Sequence, residues 1–489
     1  MLNPDTVDIK GHDSTIGYSR NVGRPLTTSS SIVRLLQDAG ALIHVKTTVP
    51  TGLLALETVS DIFGRTTNPY NSNHTAGAST GGGGALVACG GSKIEIGTDI
   101  GGSVRIPAHF CGIWSLRASA GRFPMWGSGS SMMGLEGLPI VASPMAGNLE
   151  DLYEFSKRVI LAKPWQYDHT VRFFVILFFF GEGGGVCFSF LTSFEQCVPL
   201  PWKTVNLRDE GRRLKWGVIW EDGKFGFVLF FFAKSWLIGT IPPSPACKRA
   251  LSQVILALKK QGHEVVDLYV VRFQWVFFFW SYHSLTSQAP NVWKGLKIGY
   301  ELLFSDGGTC LGKVPFFWIS NENFFSQGHQ ITNALSPKET ITPAAKSILD
   351  LLQLPRLIKK ILAFFIRSKD PIASEVYGIM HRKTVIQERE LIVARDVYRA
   401  EWHEKWTEEG LDFVLTVPHA FPALENGTSE QTTLMSAGYT LLFNLVSCLF
   451  FFSTPDPNIF PFFFLFFFFE LRKRIAWLHC WCTPYHICG

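Results

Sequence analysis

The sequence predicts an α/β protein in which helices cover a β-sheet, because a helical pattern is twice followed by a strand pattern. In "SSSIVRLLQDAGALIHVKTTVP", serines precede a helical spacing of apolar residues, Gly40 ends the helix, and an apolar run predicts a strand over 42–49. In "CKRALSQVILALKKQGHEVVDL", Gly262 separates a second predicted helix from the strand "EVVDL".

Both predicted helices are amphipathic. Their apolar faces consist of Ile32, Val33, Leu35 and Leu36 in the first helix and Leu251, Val254, Ile255 and Leu258 in the second. Apolar residues at this spacing fall on one side of a helix, so each helix is expected to pack that side against the sheet.

The composition is typical of a globular protein and excludes several classes of function. The chain has 489 residues, of which 47% are hydrophobic and 17% charged, which is enough to bury a sizeable core. Its formal net charge is only +5, and no basic stripe alternates with aromatic residues. A nucleic-acid partner is therefore not expected.

The cysteines and the amino-terminal residues favour a cytoplasmic protein. The ten cysteines are irregularly spaced and do not indicate a disulfide framework. The start "MLNPDTVDIKGHDS" has no basic segment followed by an apolar run, so no secretory signal is predicted. The tail contains Cys480, Cys482, Cys488, His479 and His486 without zinc-finger spacing, so we predict no metal site.

Segments rich in phenylalanine interrupt this ordinary sequence near 172–196, 224–239, 269–288 and 311–330 and in the tail 448–489. They have neither helical nor strand periodicity. The apolar run 458–469 contains a proline and is shorter than the roughly 20 residues of a membrane span, so none is predicted. Pyrimidine-rich DNA encodes Phe, Leu and Ser, so the Phe-rich segments are better explained as translated introns. We expect these segments to form loops or isolated helices outside the core.

The stretch "IEIGTDIGGSVRIP" places Ser103 directly after two glycines. A glycine pair lets successive backbone N–H groups point into one small space, as in an oxyanion hole beside a nucleophile. The alternative is a tight turn capped by a serine. A second serine, Ser79 in "GASTGGGGAL", lies 24 residues before Ser103. The chain has neither a G-x-S-x-G elbow nor the Gly-Lys-Ser/Thr ending of a phosphate loop.

With "NPYN" before and "FCGIWSLRASAGR" after, the region 63–124 resembles the amidase signature family of serine hydrolases. The family pattern is approximately GGSSGGEGAL, then GTDIGGSxRxP, then FCGxxGLKPTxGR. Other phrases, such as "IKGHDSTIGY" and "LDFVLTVPHAFPALENG", are most similar to fungal general amidases or acetamidases. The resemblance implies a mixed β-sheet sandwiched between α-helices, as one domain over 5–447 interrupted by the Phe-rich insertions.

The resemblance also implies a mechanism, in which Ser103 is the acyl-enzyme nucleophile and Ser79 is the bridging serine that relays its proton. The backbone amides of Ile100, Gly101, Gly102 and Ser103 would form the oxyanion hole, and Leu53 would lie near the substrate-binding wall. The implied reaction is hydrolysis of a small-molecule carboxamide to a carboxylate and ammonia, without a metal or organic cofactor. The oligomeric state is not predicted.

The chain departs from the family pattern at the catalytic base. Counting back from Lys10-Gly11 puts Pro4 where the family has its lysine, and we expect the chain to be truncated at its amino terminus. Lys46 matches a non-catalytic lysine and is expected to be solvated at a strand end, and Lys10 is not expected to replace the base. The smaller departures are Ala78, Thr80, Gly83 and Ala118. An inactive amidase relative or a misannotated gene product is therefore the alternative to an active amidase, and a membrane-attached protein is a weaker one.

Overall fold

The computed structural model describes residues 1–130, 135, 137–168, 197, 199–203, 213–220, 241–268, 290–305, 354–367, 371–429, 434–446, 449–453 and 464–468. The predicted insertions near 172–196, 224–239, 269–288 and 311–330 lie outside these residues, as does the Cys- and His-containing tail segment after 468.

The described strands form one mixed sheet and one short hairpin. The sheet contains β1 (Leu2–Pro4), β2 (Val45–Thr47), β5 (Ile94–Asp99), β6 (Trp114–Arg117), β7 (Val141–Ala146), β8 (Lys215–Val218), β9 (Glu264–Asp267), β10 (Phe413–Leu415), β11 (Leu449–Ser453) and β12 (Phe464–Phe468). The hairpin is formed by β3 (Val59–Ser60) and β4 (Gly64–Arg65).

The described α-helices are α1 (Ser31–Asp38), α2 (Gly81–Ala88), α3 (Arg105–Cys111), α4 (Leu149–Leu161), α5 (Pro245–Lys260), α6 (Val292–Leu303), α7 (Arg356–Ile366), α8 (Pro371–Ile379), α9 (Val385–Glu408) and α10 (Gly438–Leu445). Within the described ranges, none of the helices combines the length and the apolar character that crossing a bilayer requires.

The sheet is parallel at its two ends and antiparallel in the middle. Its strand order is β2-β1-β5-β7-β6-β11-β12-β10-β8-β9. Parallel pairs join β2, β1 and β5 at one end and β10, β8 and β9 at the other, and the strands between them pair antiparallel. The mixed α/β sheet expected from the sequence is confirmed.

Local sequence signals account for the two predicted helix–strand units. The Ser30 side chain accepts a hydrogen bond from the Val33 amide and begins α1, a cap that contributes about 1 kcal/mol. The Ser244 side chain begins α5 in the same way. Gly40 and Gly262 follow these helices with positive φ, as expected. The strand predicted over 42–49 is shorter than expected, because only Val45–Thr47 is extended in the sheet.

Helices cover both faces of the sheet. Ala142 and Ala146 of β7 pack with Leu152 of α4 in one apolar cluster, whereas Met145 of the same strand belongs to a second cluster that includes Leu296 of α6. Neighbouring side chains of a strand point to opposite faces, so the two clusters lie on opposite sides of the sheet.

The Phe-rich tail was expected to lie outside the core as loops or isolated helices, but two of its segments are strands of the main sheet. The backbones of β11 and β12 pair with each other and fill the space between β6 and β10. Without them, β6 and β10 would each leave one unpaired edge, and Phe-rich sequence suits a strand. The backbone of this part of the tail therefore continues the sheet.

Candidate active site

Ser79 and Ser103 line the same pocket. The space between the pocket walls is about 740 Å³, which includes a part that is open to solvent. It is lined by Leu53, Leu54, Ala55, Leu56, Ala78, Ser79, Thr98, Ile100, Gly101, Ser103, Ile106, Gly129, Ser130, Ile140, Tyr300, Leu303, Ala437 and Leu441. Gly102 is the one predicted site residue outside this lining.

The glycine loop between β5 and α3 presents Ser103 to the pocket. β5 ends at Asp99 and α3 begins at Arg105, so the chain reverses within five residues. Gly102 has φ +131°, and a β-carbon there would lie 2.4 Å from the Thr440 hydroxyl oxygen. A side chain at Gly102 would therefore be strained and would collide with α10, which explains why this turn contains a glycine.

Backbone amides of this loop are available to stabilise a developing negative charge. Within the described chain, the amides of Ile100, Gly101 and Ser103 have no hydrogen-bond acceptor. The Gly102 amide differs from the expectation, because it donates to Asp99 Oδ1 at 3.0 Å. The loop therefore offers three unpaired amides rather than four.

A buried ion pair holds the loop. The Asp99 carboxylate accepts hydrogen bonds from the amides of Gly102 and Val104 and from the Arg105 guanidinium, which it meets at 2.8 Å. Both side chains of the pair are fully buried. Burial alone would raise the pKa of Asp99, but Arg105 and the hydrogen bonds hold it well below its usual range.

Ser79 lies at the start of α2, directly behind the Ser103 loop. The peptide bond between Ala78 and Ser79 is cis. The next amide, that of Thr80, donates to the Ser103 carbonyl oxygen at 3.0 Å and ties the two serine segments together. Ala78 is buried and is not among the described residues with positive φ, so its β-carbon causes no left-handed strain.

Leu53 lines the same pocket as the two serines. It is one of the few described non-glycine residues with positive φ, at +64°. Its amide donates to the Pro50 carbonyl oxygen at 3.1 Å, which closes a tight turn. An aliphatic side chain in such a conformation is unfavourable unless its surroundings hold it, and strained residues of this kind concentrate at binding sites.

Pro4, the position that the sequence pattern aligned with the family's base, is buried, and Lys46 is not directed to the same face of the sheet. Pro4 pairs with Thr47, the residue after Lys46, so the Lys46 side chain points to the opposite face of the sheet. Its Nζ donates to Ser14 Oγ at 2.7 Å and lies 3.4 Å from Asp5 Oδ1. Lys46 was expected to be solvated, but its side chain is mostly buried. Burial lowers the pKa of Lys46, although the negative charge of Asp5 opposes this shift.

Other ionisable groups do not supply a base to the pocket. Among the described residues that line it there is no carboxylate, lysine or histidine. Lys10, the other lysine considered from the sequence, is exposed. Among the described residues, no three His, Cys, Asp or Glu side chains are grouped so that they could hold a metal ion.

Sequence reasoning did not single out Glu95, a buried acid on the same sheet face as Pro4. Its Oε1 accepts a hydrogen bond from Thr47 Oγ1 at 3.0 Å, and its Oε2 has no partner in the described structure. A β-carbon at Gly83 would lie 2.5 Å from Glu95 Cδ, so Glu95 fills the space beside Gly83, where the family pattern has a glutamate. The sequence signal that could have pointed to a residue such as Glu95 is the glycine at position 83, where the family pattern has a glutamate.

Comparison with other proteins finds similar sequences among amide hydrolases. The family model "Amidase" matches residues 5–177. Fatty-acid amide hydrolase 1 of Sus scrofa is 29% identical over 436 residues, which are 89% of this chain and 61% of that protein. Acetamidase of Aspergillus oryzae is 33% identical over 261 residues, which are 53% of this chain and 41% of that protein. The chain thus spans less than two thirds of the length of these relatives.

Solved structures show the same fold. A fatty acid amide hydrolase aligns with a TM-score of 0.66 at 21% identity, over 96% of this chain and 69% of that one. A 6-aminohexanoate cyclic dimer hydrolase, solved with its substrate, aligns with a TM-score of 0.61 at 16% identity, over 96% of this chain and 80% of that one. The family model, the curated relatives and the fold agree that this chain is similar to proteins of the amidase family.

Proposed function

We propose that this protein is an amidase that hydrolyses a carboxamide to a carboxylate and ammonia through an acyl-enzyme on Ser103. The observation that carries the proposal is the convergence of Ser103, Ser79 and unpaired backbone amides on one pocket. A nucleophile, a neighbouring group that accepts its proton and donors for an oxyanion are the parts that acyl transfer requires. The activity is a proposal for the whole protein, because the chain spans less than two thirds of the length of these relatives.

In the first step, Ser103 Oγ attacks the carbonyl carbon of the amide. Negative charge develops on the carbonyl oxygen, and the amides of Ile100, Gly101 and Ser103 are placed to stabilise it. The Ser103 proton passes to Ser79, whose hydroxyl can accept one proton while it releases another. The C–N bond then breaks, and ammonia leaves with the proton that Ser79 passes on, which leaves the acyl group on Ser103. Water attacks this ester, its proton returns to Ser103 Oγ, and the carboxylate is released.

This mechanism needs a basic group that holds the proton released by Ser103. Ser79 relays a proton but does not hold it, and an amide nitrogen must be protonated before it leaves. Pro4 has no basic group, and the described pocket lining offers none in its place. This observation favours the second candidate, an amidase relative that is inactive or nearly so toward amides.

The lining also indicates the kind of substrate. Most of the side chains around the serines are aliphatic, and none of the described ones carries a full charge at neutral pH. We therefore propose an uncharged acyl group, since a charged one would be buried without a partner. The cytoplasm is the proposed location, supported by the free thiols of the described cysteines.

The test compares the wild type with Pro4→Lys and Ser103→Ala, by ammonia release from acetamide and benzamide. A positioned base contributes on the order of 10²–10⁴ in rate, so Pro4→Lys should hydrolyse both amides that much faster than the wild type. Ser103→Ala should be inactive in either background. If Pro4→Lys hydrolyses neither amide, the result would support the second candidate, an inactive amidase relative. If the wild type and Pro4→Lys have equal rates that depend on Ser103, another group serves as the base.

A further inference from the structure

The glycine loop is held from behind by α10, more than 330 residues later in the chain. Thr440 Oγ1 donates to the Gly101 carbonyl oxygen at 2.6 Å, and the Thr440 carbonyl accepts from Arg105 Nη1 at 3.0 Å. Asn444 Nδ2 lies 3.0 Å from Asp99 Oδ1 and 3.4 Å from the Asp99 carbonyl oxygen. Thr440 and Asn444 are fully buried and one helical turn apart, so a single face of α10 meets the loop.

These contacts determine the direction of the loop amides. In a trans peptide, the C=O and the following N–H point in opposite directions. Because the Asp99 carbonyl is turned toward Asn444, the Ile100 N–H points away from α10. The Gly101 carbonyl is turned toward Thr440, and the Gly102 N–H accordingly points back to Asp99.

The close approach of α10 makes this arrangement rigid. A β-carbon at Gly102 would lie 2.4 Å from the Thr440 hydroxyl oxygen, so the helix and the loop are in direct contact. Leu441, between the two polar residues, lines the pocket itself. The carbonyl groups of Asp99 and Gly101 both accept hydrogen bonds from α10. Rotation of either peptide group would therefore break a buried hydrogen bond.

We propose that Thr440 and Asn444 are positioning residues for the oxyanion hole. Asn444 acts through the Asp99–Ile100 peptide, which carries the Ile100 N–H. Thr440 acts through the Gly101–Gly102 peptide, which lies between the peptides that carry the Gly101 and Ser103 N–H groups. The inference rests on the proposed function, because it assumes that Ser103 is the nucleophile. It predicts that loss of the Thr440 hydroxyl slows the attack of Ser103, in addition to any loss of stability.

The test is the rate at which a fluorophosphonate labels Ser103 in the full-length chain. The Ser103 Oγ–P bond forms, the P–F bond breaks and fluoride leaves, while the Ser103 proton passes through Ser79 to water. The charged oxygen on phosphorus needs the same amides as an amide oxyanion. The second-order rate is expressed per folded site, with labelling at Ser103 checked by peptide mass spectrometry.

We expect Thr440→Val and Asn444→Leu each to lower this rate about tenfold or more, since loss of one oxyanion donor costs 10²–10³ and misalignment costs less. Thr440→Ser keeps the hydroxyl and should retain the rate within about twofold. Should Thr440→Val not purify as a folded protein, Thr440→Ala carries the same expectation.

The matched control is Thr416→Val. Thr416 is a buried threonine whose hydroxyl donates to the Ile219 carbonyl oxygen at 2.8 Å, outside the pocket lining. Thr416→Val should lose similar stability and keep its labelling rate. Equal rates for Thr440→Val and Thr416→Val would overturn the inference. Labelling that persists in Ser103→Ala would instead overturn the proposed function, so the two failures are distinguishable.

Discussion

Glu95→Gln is expected to become more stable relative to the wild type as the pH rises. Glu95 is completely buried on β5, with one hydrogen bond from Thr47. Burial raises its pKa from an ordinary 4.5 to about 8, and the Thr47 hydrogen bond only partly opposes this shift. At neutral pH the folded protein therefore keeps a proton on Glu95 that the unfolded chain has released.

The sign and size of the effect follow from this difference. The stability associated with protonated Glu95 is complete below the unfolded pKa of 4.5 and is lost as the pH rises through about 8. Each pH unit between these values changes the free energy of unfolding by about 1.4 kcal/mol, on the order of 5 kcal/mol in total. A glutamine cannot ionise, so Glu95→Gln should not show this loss. Any cost of an unpaired amide N–H in the variant is independent of pH.

The assay is urea unfolding of both proteins at several pH values between about 5 and 7.5. The stability difference, Glu95→Gln minus wild type, should rise by about 3 kcal/mol from pH 5 to pH 7. The control is Glu264→Gln, which changes a half-exposed carboxylate on β9 and should give a nearly constant difference. A constant difference for Glu95→Gln as well would refute the assignment of a buried, protonated Glu95.

Three further predictions concern stability, each measured by urea unfolding. Gly102→Ala should lose about 1–3 kcal/mol, because its β-carbon would lie 2.4 Å from a threonine hydroxyl at φ +131°; unchanged stability would contradict this geometry. Arg105→Leu should lose about 3–5 kcal/mol by leaving Asp99 buried without its partner, and a loss below about 1 kcal/mol would argue against the pair. Gly83→Glu should be destabilising alone and rescued by Glu95→Gly, whereas additive losses would show that the two sites do not share one space.

The sequence predicted the elements whose signals are local. α1 was predicted from its preceding serines, apolar spacing and terminal glycine, and α5 from its apolar spacing and terminal glycine, and all of these are found in the structure. The pairing of Ser79 with Ser103 in one pocket followed from a resemblance in short motifs. Their catalytic roles remain predictions, because position alone does not demonstrate chemistry.

Errors arose where a property depends on strand register or on distant chain segments. Lys46 was expected to be solvated, but its place in β2 turns it to the buried face opposite Pro4. The environment of Lys46 depends on the register of β2 against β1, and the sequence of β2 alone does not specify this register. The Phe-rich tail was expected outside the core, but β11 and β12 complete the sheet by backbone pairing between edges formed elsewhere in the chain.

By itself, the sequence determined the resemblance to the amidase signature family, the α/β class and the serines and glycines of the loop, since each is encoded in a short contiguous stretch. Only the tertiary structure decided which loop amides are unpaired and what holds them. Thr440 and Asn444 meet the loop from more than 330 residues away, and Glu95 becomes a buried acid only because β5 is covered by α2 beside Gly83. Hydrogen bonding and burial depend on what lies nearby in space, and neighbours in space are set by folding rather than by order in the chain.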